Sequence, residues 1–120
     1  GEIKMELTIN GKQYVFIFGY RFIKELNKKN EVTEHGMTLK AGLDNALMNF
    51  FSGDIETLVE MLKIANATEN PRVSEKGIVE WIEENGADAL FDLVLEELKK
   101  SEFTKKKTLN FEKEVSKNLQ

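Results

Sequence analysis

The side chains that could do chemistry in this sequence are few and stand apart from one another. The single histidine, His35, lies between Glu34 and Gly36 in a segment without helical or strand periodicity. A general base must reach the nucleophile that it activates, and no serine around His35 has the context of a nucleophile. We therefore interpret His35 as a solvated loop residue rather than as a catalytic base.

The carboxylates and glycines indicate no ligand site either. Glu80, Glu83 and Glu84 follow helical spacing and are typical of a solvated helix face. A Ca²⁺ site needs about six converging oxygen ligands at a defined spacing, and that spacing does not occur here. Neither a glycine-rich phosphate loop nor any cysteine occurs. The sequence therefore predicts no enzyme activity, no metal site and no cofactor.

Charge is distributed unevenly along the 120 residues, which carry a formal net charge of −4. Residues 1–98 hold 10 basic and 18 acidic side chains, whereas residues 99–120 hold 7 basic and 3 acidic ones. An acidic chain is not typical of a nucleic-acid binder, which needs a basic face. The lysines of residues 99–107 leave two interpretations open: a contact for an acidic partner, or complementation of a helix dipole at its C-terminal end.

The apolar segments are too short to cross a bilayer. The longest uninterrupted apolar run is Tyr14–Phe18, against the roughly 20 residues that a transmembrane helix needs. No charged-then-apolar secretory leader opens the chain. Together with the absence of cysteine, these features predict a cytoplasmic protein.

The elements that would position any site begin with a β-hairpin. Apolar and polar residues alternate over residues 5–9, and Asn10-Gly11 is a strong signal for a two-residue hairpin turn. That turn sets a register in which the apolar residues share one face. The pairs predicted on this face are Leu7–Tyr14, Met5–Phe16 and Ile3–Phe18. The other face carries Val15 and Ile17, which we interpret as a further contact surface for a partner.

Helical periodicity follows the hairpin. About five helices are expected, over residues 20–29, about 39–53, 54–66, 74–86 and 88–98. Asp54 and Ser74 are suitable N-caps, whereas residues 31–37 carry little periodicity and are predicted to be a loop. The last of these helices is expected to bury Phe91, Val94, Leu95 and Leu98. The predicted fold class is α+β, mainly α, with the N-terminal hairpin packed on about five helices and a C-terminal amphipathic arm.

The chain is predicted to divide into a globular domain, residues 1–104, and a basic, amphipathic arm, residues 105–120. A narrow apolar stripe recurs every four residues in the arm. Two alternatives stay open for this stripe: it folds back on the globular domain, or it docks in a partner's groove as a mobile arm. The candidate partner-binding residues of this region are Phe103, Leu109, Phe111, Val115 and Leu119.

The order of these segments resembles a known family, the tail assembly chaperones of long-tailed (siphovirus-type) phages and prophages of Gram-positive bacteria. The likeness extends over about residues 5–107. The segments that carry it are Met5–Lys12, the aromatic strand Tyr14–Gly19, the short helix Phe22–Asn27, the Gly42-Leu43 helix that leads to Ser52–Asp54, the helix that ends near Ala65–Thr68, and the closing segment Leu90–Lys105.

The resemblance implies a non-enzymatic role. Such chaperones bind the long, largely helical tape measure protein in the cytoplasm of the host bacterium, keep it soluble and assist polymerisation of the tail tube around it. They are absent from the mature virion. A longer form made by translational frameshifting contacts the tail tube protein in families of this type. The resemblance also implies self-association, with neither a membrane nor a nucleic acid as a partner.

Two alternatives compete with this interpretation. One is an oligomeric adaptor or regulatory protein of a prophage-type system with no enzymatic activity. The other is a nucleic-acid binder that uses the lysine cluster of residues 99–107.

Overall fold

A computed structural model of the chain describes residues 4–29 and 31–118, and describes Val32 and Leu39 by their backbone alone. Two expectations therefore lie outside the described residues: the Ile3–Phe18 pair and the position of Leu119. The described residues form four strands and six helices. In chain order these are β1 Lys4–Ile9, β2 Lys12–Ile17, α1 Tyr20–Lys29, β3 Glu31–Glu34, β4 Met37–Lys40, α2 Gly42–Phe51, α3 Ile55–Asn66, α4 Glu75–Asn85, α5 Ala87–Lys100 and α6 Lys105–Asn118.

The N-terminal hairpin, β1 with β2, has the register that the sequence predicts. Leu7 lies opposite Tyr14 and Met5 opposite Phe16. Asn10 and Gly11 both have positive φ, 50° and 79°, as a two-residue turn matched to strand twist requires. We call this the inner hairpin, because its apolar face is part of the core: Met5, Leu7, Ile9 and Phe16 are all buried. The predicted fold class, a hairpin packed on helices, is confirmed.

Helix α3 lies at the centre of the molecule, in contact with β2, α1, α2 and α4. Its side chains Leu58, Met61 and Leu62 have no exposed surface. The predicted N-caps are confirmed. A carboxylate oxygen of Asp54 accepts a hydrogen bond from the backbone N–H of Thr57 in α3, and Ser74 Oγ accepts one from the backbone N–H of Gly77 in α4. Local capping therefore begins both helices where the sequence predicted.

Helix α5 is rotated relative to the predicted buried face. Val94 and Leu98 are buried as expected, but the third fully buried side chain is Leu90, whereas Phe91 and Leu95 are half-buried. The reason is that α5 contacts the inner hairpin, α4 and α6. Its apolar residues are therefore divided between a face that packs in the core and a face that packs against α6.

The loop prediction for residues 31–37 is wrong. These residues belong to a second antiparallel hairpin, β3 with β4, in which Thr33 lies opposite Thr38 and Glu34 opposite Met37. Its turn residues, His35 and Gly36, have φ values of 53° and 75°. We call this the outer hairpin. Its strands are only four residues long, and the alternation in Met37–Lys40 is too short to distinguish a strand from a loop.

Helix α2 begins at Gly42 rather than near residue 39. The residue before it makes no side-chain cap. Instead, the side-chain oxygen of Asn27 accepts hydrogen bonds from the backbone N–H groups of Gly42, at 3.1 Å, and Leu43, at 3.3 Å. A Cβ at position 42 would overlap the backbone of Leu26, so glycine allows α1 and α2 to approach this closely.

The C-terminal segment forms α6, which folds back on α2 and α5. Thr108 is fully buried, and the ring of Phe111 is stacked on that of Phe51 with centroids 6.4 Å apart. Of the two alternatives for the apolar stripe, the structure therefore has the one in which it contacts the body. The division of the chain into domains 1–104 and 105–120 stays a prediction.

Candidate functional site

A groove of about 870 Å³ opens where the end of β2, the start of α1, the last turns of α3 and the turn after α5 meet. We call it the aromatic groove and define it by Ile17, Tyr20, Ile64 and Phe103, which all line it. Its volume lies in the range of about 300–1,000 Å³ that is usual for binding pockets in proteins. The groove is large enough to receive several side chains of a partner.

The floor of the groove is held by two buried aromatic rings. Phe18 and Phe22 make an edge-to-face contact with centroids 5.0 Å apart. They lie on either side of the junction where β2 ends and α1 begins, and the N–H of Ile23 donates to the carbonyl of Gly19 there. The strand-to-helix junction is therefore rigid, and Tyr20 projects from its first helical position.

The opposite wall is a turn that is tied into the core by hydroxyl groups. Ser101 Oγ donates a hydrogen bond to the carbonyl of Phe18 and accepts one from the N–H of Phe103. Thr104 Oγ1 donates to the carbonyl of Leu98 at 2.7 Å. Ser101 and Thr104 are both buried, so these bonds replace the water that the same groups would otherwise need. The turn is thus fixed, and it presents Phe103 outward.

Two aromatic side chains are exposed at this groove. Tyr20 is 63% exposed and Phe103 is 54% exposed, and their ring centroids are 6.1 Å apart. Exposed aromatic rings that flank an apolar pocket are typical of protein interaction sites, because aromatic residues contribute most when a partner buries them. The arrangement can bind an apolar ligand surface.

The polar edge of the groove carries charges of both signs. Arg21, Glu69 and Glu102 line it, and Glu102 makes an ion pair with Lys105 at 2.8 Å. No group of acidic or histidine side chains that could hold a metal ion occurs in the part of the chain that the structure describes. The groove therefore combines an apolar floor with a mixed polar rim, as protein interfaces do.

The predicted partner-binding residues that the structure describes fall in three separate places. Ile17 and Phe103 come together in the aromatic groove. Leu109, Phe111 and Val115 lie on α6, where Leu109 is 45% exposed and the other two are half-buried. Val15 is half-buried on β2, and its carbonyl accepts a hydrogen bond from Asn66.

Tyr20 is the groove residue that the sequence analysis missed. The signal for it was present, since Phe22, Ile23 and Leu26 define the buried face of α1, and Tyr20 stands outside that face. A large aromatic residue on the polar side of a helix is a residue to examine for binding.

The lysine cluster is largely engaged within the molecule. Four of its side chains lie within 4.0 Å of a carboxylate. The pairs are Lys99–Glu112, Lys100–Glu97, Lys105–Glu102 and Lys107–Asp44. Two of these pairs, Lys99–Glu112 and Lys107–Asp44, join α6 to α5 and α2, and surface pairs of this kind each contribute about 1 kcal/mol or less.

Comparison with known proteins identifies one family. A family model described as phage tail assembly chaperone protein, TAC, matches residues 6–113, a span that contains every residue of the aromatic groove. No curated protein and no solved structure matches the chain significantly. In the described part of the chain, no helix is both long and apolar enough to span a membrane.

Proposed function

This chain belongs to the phage tail assembly chaperone family, since the family model covers residues 6–113 of its 120, and from that premise we propose that it binds the tape measure protein. In this proposal the chaperone keeps the tape measure protein soluble and assists polymerisation of the tail tube around it. The single observation that supports a particular binding site is the aromatic groove with its exposed Tyr20 and Phe103.

The groove suits an amphipathic helix as its ligand. Such a helix inserts its apolar stripe into a partner's groove, with anchor residues at positions i, i+3, i+4 and i+7. A long helical tape measure protein exposes stripes of this kind at many positions before the tube covers them. Tyr20 and Phe103, whose rings contact each other, would together pack against the inserted stripe, while Arg21 and Glu69 face its polar flanks.

Binding of this kind needs little sequence specificity. The groove is lined mainly by apolar side chains, so that many helical stripes of similar size fit it. Each contact would be weak, and several chaperones along one tape measure protein would gain strength through avidity. A weak contact also allows the tube subunits to displace the chaperone.

The wider setting of the proposal follows the family. We propose a long-tailed phage or prophage of Gram-positive bacteria as the source of the system and the host cytoplasm as the place of action. The chaperone then leaves the tail before the virion is complete. Contact with the tail tube protein would be indirect or made by a frameshifted longer form. A chaperone role of this kind involves no catalysis.

The test is co-expression of this chain with its tape measure protein. The wild-type chain should keep the tape measure protein in the soluble fraction and co-purify with it. Phe103→Ser should reduce the affinity, and with it the co-purified amount, on the order of thirtyfold, because aromatic anchors contribute about 2 kcal/mol or more to an interface.

Leu93→Ser is the matched control, since Leu93 is also a large exposed apolar side chain, at 42% against 54% for Phe103, but lies on α5 and does not line the groove. It should leave binding unchanged. A tape measure protein that precipitates despite the wild-type chain would disprove the proposed function. Equal losses for the two variants would instead exclude the groove as the binding site.

A further inference from the structure

A second groove lies beside the aromatic groove, along the outer surface of α3. Its volume is about 460 Å³, and its lining comes from α3, the first half of α4 and the last residue of α1. We call it the α3 groove and define it by Ile55, Val59, Ala67 and Val79, which all line it. Ile55 on α3 and Val79 on α4 are 40% and 38% exposed. Two large aliphatic side chains at this groove are therefore left partly in contact with solvent.

The two grooves meet at the C-terminal end of α3. Ile64 lines both of them. Thr68 lines the aromatic groove, and its neighbour in the chain, Ala67, lines the α3 groove. The shared residue and the adjacent pair make the grooves contiguous, so that one ligand can cross from one to the other over Ile64.

The α3 groove suits a helix as its ligand better than an extended peptide. It lies between helices, whose backbone groups bond within each helix, so it offers no open strand edge. Grooves for proline-rich segments are lined by aromatic side chains, and none of the described residues that line the α3 groove is aromatic. Aliphatic side chains between two helices match the surface ridges of a third helix.

We propose that the aromatic groove and the α3 groove form one continuous binding surface for a single amphipathic helix, which crosses α3 over Ile64. The apolar stripe of this helix packs against Tyr20 and Phe103 at one end and against Ile55 and Val79 at the other. The inference rests on the proposed function, because it takes the tape measure protein as the source of the helix.

The dimensions of the two grooves set the length of the helix that fills both. Anchors at positions i to i+7 occupy the aromatic groove with about two helical turns. Helix α3 has 12 residues, and its axis is therefore about 18 Å long, which matches about three further turns. A helix of about 18 residues thus fills both grooves, whereas one of about 10 residues fills only one.

The charges along the two grooves indicate what should flank the apolar stripe. Glu56 and Lys63 are exposed and line the α3 groove, while Arg21 and Glu69 line the aromatic groove. Each groove therefore carries charges of both signs. The complementary ligand is a helix whose polar face also mixes acidic and basic residues, as in a soluble amphipathic helix, and not one with a single-sign flank.

Binding of a long and a short segment of the tape measure protein tests the proposal. Overlapping helical peptides, held by side-chain crosslinks on their polar face, are screened with the wild-type chain for a binder of about 18 residues. The part of about 10 residues whose binding depends on Phe103 is the short segment. Isothermal titration calorimetry then measures the affinity of each variant for both segments.

Val79→Ser should weaken binding of the long segment about fivefold and leave binding of the short segment unchanged, because only the long helix buries Val79. Serine and valine have similar helix propensities, so the change preserves α4. Phe103→Ser should weaken binding of both segments. Leu93→Ser is the matched control, since Leu93 is 42% exposed on α5 and lines neither groove. It should bind both segments as the wild-type chain does.

The outcomes separate this inference from the proposed function. If Val79→Ser binds the long segment normally while Phe103→Ser does not, the continuous surface is excluded and the proposed function stands. Equal losses of both segments in Val79→Ser would also overturn the inference, since the loss would not depend on filling the α3 groove. A wild-type chain that co-purifies with the tape measure protein but binds no single segment would overturn the inference alone. Failure to co-purify would disprove the proposed function and the inference with it.

Methyl resonances give a second readout that needs no substitution. In a chain with labelled isoleucine and valine methyl groups, the long segment should shift the signals of Ile55, Val79 and Ile64. The short segment should shift Ile64 but neither Ile55 nor Val79, because Ile64 is the residue that the two grooves share. A long segment that leaves the signals of Ile55 and Val79 unchanged would contradict the proposal.

Discussion

The inner and outer hairpins have almost the same turn but differ in how far they are buried. Both are closed by two residues of positive φ, 50° and 79° in one and 53° and 75° in the other. The inner hairpin has six-residue strands and buries an apolar face, whereas the outer hairpin has four-residue strands whose described side chains are all exposed. The comparison teaches that turn chemistry makes a hairpin, but that the pattern of the strands decides whether it joins the core.

The two hairpins also differ in whether another element covers their open strand edges. The outer edge of the inner hairpin is covered by α3, whose buried Asn66 binds three backbone groups. Its Nδ2 donates to the carbonyls of Val15 and Pro71, and its Oδ1 accepts from the N–H of Val73 at 2.7 Å. One amide side chain thereby joins strand, helix and loop. No such cover is found for the outer hairpin, whose described side chains are all exposed.

The largest expected effect that separates the two hairpins is loss of a buried aromatic side chain. Phe16→Ala should lower the free energy of unfolding by about 3–5 kcal/mol, because Phe16 is fully buried and its removal leaves a cavity. Met37→Ala in the outer hairpin should change it by less than about 0.5 kcal/mol. Chemical denaturation followed by circular dichroism measures both, and comparable losses would contradict the distinction.

Removal of the edge cover should have the next largest effect. Asn66→Ala leaves two carbonyls and one N–H without their partner, and we expect a loss of about 2–4 kcal/mol in the free energy of unfolding. The control is Asn45→Ala, since Asn45 is exposed on α2, and this change should be nearly neutral. A neutral Asn66→Ala would mean that water replaces all three bonds.

The turn glycines allow a direct test of how each hairpin is coupled to the core. Gly11→Ala and Gly36→Ala both place a side chain at positive φ, which costs about 1 kcal/mol or slightly more. For Gly11 the loss should appear in global stability, whereas for Gly36 it should appear only as faster amide hydrogen exchange within the outer hairpin. A global loss for Gly36→Ala would show that the outer hairpin is part of the cooperative core.

The smallest expected effect concerns the hydrogen bond that joins the turn of the inner hairpin to α4. Asn10 Nδ2 donates to a carboxylate oxygen of Glu80 on α4 at 3.0 Å, and both groups are at the surface. Glu80→Ala should therefore lower the free energy of unfolding by less than about 1 kcal/mol. Glu83→Ala on the same helix should have no measurable effect, and a difference of several kcal/mol between the two would reveal an unexpectedly strong anchor.

Local patterns made the inner hairpin, the N-caps Asp54 and Ser74, and the fold class predictable. Each depends on residues close together in the chain: a turn dipeptide with alternating neighbours, or a polar side chain before an apolar stripe. The outer hairpin escaped prediction because each of its strands has only four residues, too few for a periodic pattern to be recognised. The rotation of α5 escaped because a helix with apolar residues on several sides can bury more than one face.

The sequence by itself determined the family, through the order of its local segments, and the register of its first hairpin, since both depend on neighbouring residues. Only the tertiary structure decided that Ile17, Tyr20 and Phe103 line one groove, and that α6 covers the body. Those contacts join segments from opposite ends of the chain, and they form because the buried hydroxyl and amide groups of Ser101, Thr104 and Asn66 find backbone partners across the core. No local pattern encodes such a pairing, because its partners are chosen by the packing of the whole fold.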